Sequence, residues 1–292
     1  TNIMLKKIQI NGKLFLEYFK IACGVVFGIA SAFFLFFDIS DLKIKSCNSK
    51  ILTMTILILL AVFYAVVKVM SYKKIVVLKG KLVLRYGDLW KTAFNTKEKK
   101  KIVVVGVNTT FDTIVDENLS MVNKPLVSPT TIHGRWLKCM KDRNVAISDI
   151  DAKISNSLKL QEISPMKVLS RNIKARGKLE CYSKGTIAQY EYGNTVFYLL
   201  ALSEFDENNN AQNTKEELVE TITKLINYYD KKGNGFDIYI PLLGTGQSRT
   251  GITRKDSLEI MASLFELYEE KIQGCVNIVV YSEDRDKVSL GA

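Results

Sequence analysis

The sequence is poor in the residues that build metal sites and disulfide frameworks. It contains one histidine, His133, and five cysteines that are scattered without a CxxC pair. One imidazole cannot form a histidine-rich metal site, and scattered cysteines are typical of a protein in a reducing compartment. We therefore expect no metal site and no disulfide framework.

The sequence also lacks two standard phosphate-binding signatures. It has no GxxxxGK[ST] loop, and Arg249 stands where a GxGxxG fingerprint starting at Gly244 needs its third glycine. The stretch around these residues still has a favourable order, because the apolar run 238–240 precedes Gly244 and Gly246 and a helical pattern starts near Asp256. Glycines let backbone N–H groups approach an anion, and a helix N-terminus adds partial positive charge. A tight β–α turn without a ligand is the alternative interpretation.

Positive charge is concentrated near the N-terminus. Residues 1–74 contain 10 Lys and Arg against 3 Asp and Glu, whereas the rest of the chain contains 31 against 27. The larger part of the chain is therefore not basic enough to indicate a nucleic-acid binder, and we expect no nucleic-acid partner.

Two long apolar segments occur in the basic N-terminal part. Residues 21–37 and 51–67 carry no charge, and with their flanks these segments extend to about 14–37 and 51–70. Helices of this length can cross a bilayer, and two in succession argue against a signal peptide or buried core helices. We expect a transmembrane hairpin over residues 1–73, followed by a cytoplasmic domain over 74–292.

Lysines and small residues indicate how the hairpin is arranged. Lysines precede the first span and follow the second, so the positive-inside rule places both termini in the cytoplasm, although the connecting loop also carries lysine. Gly24, Gly28 and Ala32 recur every four residues and form one face that permits close helix packing. The partner of this face could be the second span of the same chain or a neighbouring protomer.

From about Lys74 the pattern is typical of an α/β protein. Strand-like runs alternate with helical patterns, which predicts a three-layer α/β/α domain with a mixed sheet. The predicted strands are 75–78, 82–86, 102–107, 186–192, 195–202, 238–240 and 276–281. Thr214 and Glu217 form a capping box that starts one helix, and another helix is predicted from about Asp256 to Gly274. Residues 141–184 have no clear assignment.

Several of these residues resemble the motifs of the macro domain, a module that binds ADP-ribose. Four elements carry the resemblance over about residues 76–286: Tyr86-Gly-Asp88-Leu, Val105-Gly-Val-Asn108, Pro241-Leu-Leu-Gly-Thr-Gly246 and the strand 278–281. The resemblance implies that Asp88 accepts a hydrogen bond from the adenine amino group and that Asn108 lies beside the distal ribose. It also implies that the glycine-rich loop binds the phosphates.

The chain differs from the ordinary macro domain in one place, and this difference makes it similar to a particular group of macro-domain proteins. The usual glycine triplet after the asparagine is missing, and the chain has Phe-Asp112-Thr and Ile-His133-Gly instead. These elements behind two spans are similar to the transmembrane–macro effectors of Thoeris anti-phage systems. The resemblance implies a partner TIR-domain enzyme that makes an ADP-ribose derivative, self-association into homo-oligomers and damage to the bacterial inner membrane.

The predicted ligand-binding residues follow from these motifs and their neighbours. They are Asp88, Asn108, Thr110, Asp112, Thr130, Thr131, His133, Leu243, Gly244, Thr245, Gly246, Gln247, Ser248 and Arg249. Asp112 could hold a ribose hydroxyl or a cationic group, or be a solvated loop acid. Thr130 and Thr131 could present helix N–H groups to the pyrophosphate or only cap that helix, and a packed histidine is the alternative for His133. Capping of the adjacent backbone is the alternative for Asp88 and Asn108, and a solvent-facing position for Arg249.

Three functions remain open from the sequence. The leading hypothesis is a membrane-anchored sensor of ADP-ribose or an amino-acid conjugate of it, with no catalytic residues and no cofactor. A membrane-tethered ADP-ribosyl hydrolase would need a base, for which Asp112, Asp116 or Glu117 are candidates. A scaffold that recruits ADP-ribosylated proteins would need an open distal-ribose end.

Overall fold

A computed structural model of the chain describes residues 2–37, 46–77, 80–118, 125–205, 211–212, 214–245 and 252–290. The chain forms two compact units, one made of residues 1–73 and 283–292 and the other of residues 74–282. Part of the predicted loop between the spans, residues 38–45, and part of the polar loop near 204–213 lie outside the described residues.

The first unit is helical. It contains α1 (Asn2–Ile10), α2 (Gly12–Phe34) and α3 (Cys47–Ser71). Helix α1 is not among the predicted elements. Helices α2 and α3 are long and apolar enough to cross a membrane. Only about a tenth or less of the most apolar part of each helix is buried. Both overlap the predicted spans, and they pack on each other through small buried side chains such as Ala22, Ala61 and Ala65.

The C-terminal segment belongs to this helical unit. Ser289 donates a 2.7 Å hydrogen bond to Asn11 Oδ1, and Asn11 Nδ2 donates to the Lys7 carbonyl oxygen. Val288 and Leu290 are buried. The buried hydrogen bond connects this segment to Asn11, the residue between α1 and α2.

The second unit is built on a mixed sheet. Its strands in chain order are β1 (Lys74–Val77), β2 (Leu82–Gly87), β3 (Lys101–Asn108), β4 (Lys167–Val168), β5 (Glu180–Cys181), β6 (Ile187–Tyr192), β7 (Thr195–Phe205), β8 (Ala211–Gln212), β9 (Asp237–Pro241) and β10 (Val276–Tyr281). The main sheet has the order β1-β2-β10-β9-β3-β7-β6, with β8 paired to β7, while β4 and β5 form a separate hairpin. Strands β2, β10, β9, β3 and β7 are mutually parallel, and β1, β6 and β8 are antiparallel to their neighbours.

Helices cover both faces of this sheet. They are α4 (Leu89–Ala93), α5 (Ile132–Lys141), α6 (Ile147–Leu160), α7 (Lys215–Lys232) and α8 (Arg254–Leu267). Val103, Val105 and Val107 of β3 share one core cluster with apolar residues of α5 and α6. Because side chains alternate along a strand, the intervening residues of β3 face the opposite layer, where α7 and α8 pack against each other and against the sheet. The predicted three-layer α/β/α arrangement is confirmed.

The predicted and observed elements differ mainly in two places. Residues 141–184 contain α6 and the β4–β5 hairpin, which the sequence analysis left unassigned. The last helix starts at Arg254 and ends at Leu267 rather than near Gly274, because a separate 3-10 turn follows at Glu269–Lys271. A second capping box, from Thr253 to Asp256, fixes its start.

Candidate functional site

The carboxyl ends of the parallel strands bring three of the predicted segments to one edge of the sheet. Asp88 follows β2, Asn108 ends β3, and Leu243 lies just after β9. Since β2, β10, β9 and β3 run in parallel, these positions share the edge where α/β proteins bind ligands. Helix α5 begins at Ile132, a few residues after the buried residues Val127 and Ser128.

Asp88 is the N-cap of α4. Its Oδ1 atom accepts a 2.9 Å hydrogen bond from the Trp90 backbone N–H. This is the capping role that the sequence analysis left as the alternative. A cap uses one carboxylate oxygen, so the predicted contact with adenine stays a prediction for the other one.

Asn108 and Asp112 are joined by a tight turn at the end of β3. Asn108 Nδ2 donates to Asp112 Oδ2 at 2.9 Å, and Asn108 Oδ1 accepts from the Asp112 backbone N–H at 3.0 Å. Phe111 has a φ of 50°, a left-handed conformation that is uncommon for a bulky side chain, and its ring packs edge-on against Tyr182. The turn thus holds both polar side chains in fixed positions.

The Asp112 carboxylate is buried and neutralised by protein groups. It is 1% exposed, and Oδ2 also accepts from Thr110 Oγ1 at 2.6 Å and from Lys174 Nζ at 2.5 Å. Oδ1 accepts from the Lys178 backbone N–H at 2.8 Å. Burial lowers the pKa of the Lys174 ammonium, and its pairing with Asp112 opposes that shift. Both oxygens of this predicted ligand-binding residue are therefore engaged with the protein.

Lys174 and Lys178 were missed by the sequence analysis. They lie between β4 and β5, in the segment that could not be assigned. Its composition carried a signal, since residues 164–179 contain five Lys and Arg and no Asp or Glu. Periodicity could not show which carboxylates these cations would meet.

Thr131 is the N-cap of helix α5, which is the capping role that the sequence left as the alternative for this residue. Its hydroxyl accepts a 3.0 Å hydrogen bond from the Gly134 backbone N–H and donates to the Ser128 carbonyl oxygen at 2.7 Å. The Thr130 hydroxyl lies 3.0 Å from the Ser128 hydroxyl. Because the first N–H groups of a helix have no partner within the helix, this end of α5 can bind an anion.

His133 lies in the first turn of α5 and is buried beside Asp112. Burial lowers its pKa from 6.5 to about 4, a shift that the charge of Asp112 opposes and the charge of Lys178 supports. The imidazole is therefore neutral at neutral pH. It can offer a ligand a hydrogen bond but no positive charge.

The loop between β9 and α8 is the glycine-rich stretch. Gly244 has a φ of 74°, which favours glycine, and the buried Leu243 offers its carbonyl oxygen to Ser257 Oγ at 2.6 Å. Ser257, fully buried on α8, is a further residue that the sequence analysis missed. Thr245 is half-buried and belongs to the same loop. Four predicted residues of this loop lie outside the described residues: Gly246, Gln247, Ser248 and Arg249.

The described ranges contain no cluster of three or more His, Cys, Asp or Glu side chains that could hold a metal ion. The hydrogen-bonding groups near the candidate site include hydroxyl, amide and backbone groups, the Lys174 ammonium and the neutral His133 imidazole. These groups suit hydrogen bonding to a polar organic ligand.

Comparisons with known proteins match the second unit. The family model described as Thoeris protein ThsA, Macro domain, covers residues 82–281. The Thoeris protein ThsA of Bacillus amyloliquefaciens (strain Y2) is 25% identical over 213 residues, which are 70% of this chain and 64% of that protein. The match therefore spans less than two thirds of the length of that curated relative.

Solved macrodomain structures are also similar. The Oceanobacillus iheyensis macrodomain with ADP aligns with a TM-score of 0.40 and 12% identity, covering 73% of this chain and 90% of that one. The Trypanosoma brucei macrodomain in complex with ADP-ribose aligns with a TM-score of 0.34 and 9% identity, covering 71% and 66%.

Proposed function

This chain belongs to the family of Thoeris ThsA macro domains, and from that membership we propose that it is a membrane-anchored sensor-effector of bacterial anti-phage defence. In this proposal, the second unit binds ADP-ribose or an amino-acid conjugate of it, made by a partner TIR-domain enzyme. Ligand binding then favours homo-oligomers, and helices α2 and α3 disrupt the membrane. Such coupling requires the ligand to bind one assembly state more tightly than another.

The observation that carries the proposal is the spread of predicted binding residues along one sheet edge. Asp88 and Asn108 lie at the ends of β2 and β3, which are separated by β10 and β9. Three strand spacings of about 4.8 Å separate these ends by roughly 14 Å. A span of this length fits an elongated nucleotide that has adenine at one end and a second ribose at the other.

In this proposal, the diphosphate lies between these two ends and is bound by the N-terminus of α5 and by the glycine-rich loop. The first turn of α5 contains His133, which lies beside Asp112, and the loop that contains Gly244 follows β9, whose carboxyl end lies at this edge. Backbone N–H groups at a helix N-terminus and around a glycine favour an anion without a charged side chain. The predicted contacts of residues 246–249 are part of the proposal.

The ion pairs of the candidate bases favour binding over hydrolysis. Asp112 pairs with Lys174, Asp116 with Arg176 at 2.6 Å, and Glu117 with Lys141 at 3.4 Å. A hydrolytic base must accept a hydrogen bond from the attacking water, and a carboxylate oxygen that already contacts a cation is less available for that contact. The burial of Asn108 and Asp112 likewise favours a free nucleotide over the distal ribose of an ADP-ribosylated protein.

The proposed location is the bacterial inner membrane, with both termini cytoplasmic and lipid around α2 and α3. It is supported by the length and composition of these two helices and by the lysines outside them. Their exposed side chains are mainly apolar, as bilayer contact requires.

Calorimetry on the full chain in detergent tests the proposal. We expect ADP-ribose or its amino-acid conjugates to bind, and Gly246→Val to abolish binding because a branched side chain blocks the approach of phosphate to the backbone. Gly12→Val is the matched control, since a Cβ at Gly12 would meet nothing within 4 Å. Absence of heat with all these ligands at millimolar concentration rejects the proposal, and steady release of product that stops in Asp112→Ala would favour the hydrolase.

A further inference from the structure

The inner part of the candidate site is covered by the turn between β4 and β5. We propose that residues 171–178, here called the latch turn, close this part of the site, and that a ligand displaces Lys174 from Asp112 when it binds. This inference rests on the proposed function, and it assigns to Lys174 a role that the motifs of the site do not indicate.

Four hydrogen bonds occupy the Asp112 carboxylate while the latch turn is closed. Oδ2 accepts from Asn108, Thr110 and Lys174, and Oδ1 accepts from the Lys178 backbone N–H. Lys174 also donates to Thr110 Oγ1 at 2.7 Å. Since Asn108 and Thr110 belong to the strand end and its turn, the two donors of the latch turn are the ones that can leave together.

The latch turn lies directly on the carboxylate. Gly177 has a φ of 77°, and a Cβ built on it would lie 2.3 Å from Asp112 Oδ1 and 2.9 Å from Leu126 Cδ1. This approach excludes even a methyl group between the turn and Asp112. No ligand atom can therefore pass between them unless the turn moves.

The remaining ion pairs of the turn are more exposed than the central one. Arg176 and Lys178 pair with Asp116 and Asp151, each at 2.6 Å, and both cations are at least 29% exposed. Lys174 is 14% exposed and Asp112 is 1% exposed. Exposed ion pairs are weak, whereas a buried carboxylate must keep partners. Asp116 is also buried, at 6% exposed, but its partner Arg176 is 42% exposed, so Lys174–Asp112 is the pair of the turn in which both side chains are least exposed.

The chemistry of this contact defines what can replace it. A ligand group that takes the place of Lys174 must donate hydrogen bonds to the Asp112 carboxylate, because an unpaired buried carboxylate is strongly unfavourable. Vicinal hydroxyls or an ammonium group meet this requirement. A phosphate does not, because it would bring a second anion against Asp112.

Hydrogen exchange on the full chain in detergent, with ADP-ribose as the probe, tests the latch turn. We expect saturating ADP-ribose to speed amide exchange over residues 171–179 by about tenfold, because the Lys178 N–H loses its acceptor. Exchange near Thr131 and Gly244 should slow in the same samples. An opening of this kind is opposite to the protection that ligands usually give to the segments they contact.

Lys174→Met provides the second arm. Without ligand, this variant should exchange over residues 171–179 as fast as the liganded wild type, and it should bind ADP-ribose more tightly, by about threefold or more, because no cation has to be displaced. Lys184→Met is the matched control, since Lys184 is 19% exposed and pairs with Glu217 at 2.8 Å outside the turn. The control should change neither quantity.

The outcomes separate the latch from the proposed function. Binding of ADP-ribose with an unchanged or protected latch turn, or weaker binding by Lys174→Met, rejects the latch and keeps the proposed function. Binding by Lys174→Met but not by the wild type supports the latch. No binding by either protein rejects both. Hydrogen exchange of the wild type with and without ADP-ribose tests the latch turn even if the variant does not fold.

Discussion

Helix α3 and strand β3 are both rich in large apolar residues, but they bury them to opposite extents. On α3, Leu52 is 61% exposed and Phe63 is 67% exposed, whereas Val103 and Val104 on β3 are fully buried. The second unit encloses its own core between helices and sheet. The first unit leaves many large apolar side chains exposed, and its two long helices have the length and composition of candidate membrane spans.

Because of this difference in burial, we expect substitutions in the two units to affect different properties of the protein. Substitutions in the second unit should act on folding and on ligand binding, because the side chains there are tightly packed. Substitutions on the exposed faces of α2 and α3 should act on contacts with lipid or with other chains. Pairs of similar substitutions in the two units can test this separation.

The largest effect is expected for Gly134→Ala. A Cβ at Gly134 would lie 2.1 Å from the Ser128 carbonyl oxygen, a backbone atom that cannot move without shifting the start of α5. We expect a loss of about 3 kcal/mol in the free energy of unfolding. Denaturant unfolding followed by tryptophan fluorescence measures it, since Trp136 lies on the same helix.

Gly24→Ala is the matched control for this prediction. A Cβ at Gly24 would meet nothing within 4 Å, so the free energy of unfolding of the second unit should not change. If both variants lost the same free energy of unfolding, the second unit would not be more tightly packed around Gly134 than the first unit is around Gly24.

A smaller and pH-dependent effect is expected for His133→Gln. The pKa of His133 is about 4 in the folded chain, whereas the ordinary value of 6.5 applies to the unfolded chain. Between these values the unfolded chain binds a proton that the folded chain does not, so this residue makes stability fall as the pH falls from about 6.5 to about 4. Between pH 7 and pH 4.5 the wild type should lose about 2 kcal/mol more than the variant.

Denaturant unfolding at a series of pH values measures this difference. His133 is the single histidine of the chain, so carboxylates that titrate in the same range contribute equally to both proteins. Parallel pH profiles for wild type and variant would show that the imidazole is not buried as described.

The sequence predicted the fold well where periodicity and local signals agree. The apolar run of β3, the turn at Gly80 between β1 and β2 and the capping box at Thr214 each specify an element within a few residues. Residues 141–184 were left unassigned although α6 buries Ile150, Ile154 and Leu158 at helical spacing, and β4 and β5 have only two residues each. Such short strands carry no periodicity and form through tertiary contacts.

The candidate site was predictable in position but not in its internal contacts. The motifs placed Asp88, Asn108 and Gly244 at or just after the ends of predicted strands, and the structure shows that these strands are parallel. The pairing of Asp112 with Lys174 joins residues that are 62 positions apart, and no local pattern encodes it. The cap role of Asp88 was correctly kept as an alternative, because an aspartate before a helix has that role by default.

The smallest effect on the folded state, and the sharpest test of the exposed unit, is expected for the double variant Gly24→Leu, Gly28→Leu. Both glycines are exposed, and a Cβ on either would meet nothing within 4 Å of the described atoms, so α3 of the same chain does not cover this face. Leucine should therefore leave folding and ADP-ribose affinity unchanged. Larger side chains do prevent the close approach of another helix, which small residues permit.

If protomers pack through this face after the ligand gathers them, the double variant should reduce ligand-triggered dye release from reconstituted vesicles severalfold. Gathering several helical units raises their effective concentration, so a weak helix contact becomes sufficient, and its loss should be visible only in this assay. Ala22 and Ala65 offer the contrasting pair, because they are buried between the helices of the unit and their replacement by leucine should disturb the unit itself. Full dye release by the glycine variant would show that protomers meet through another face.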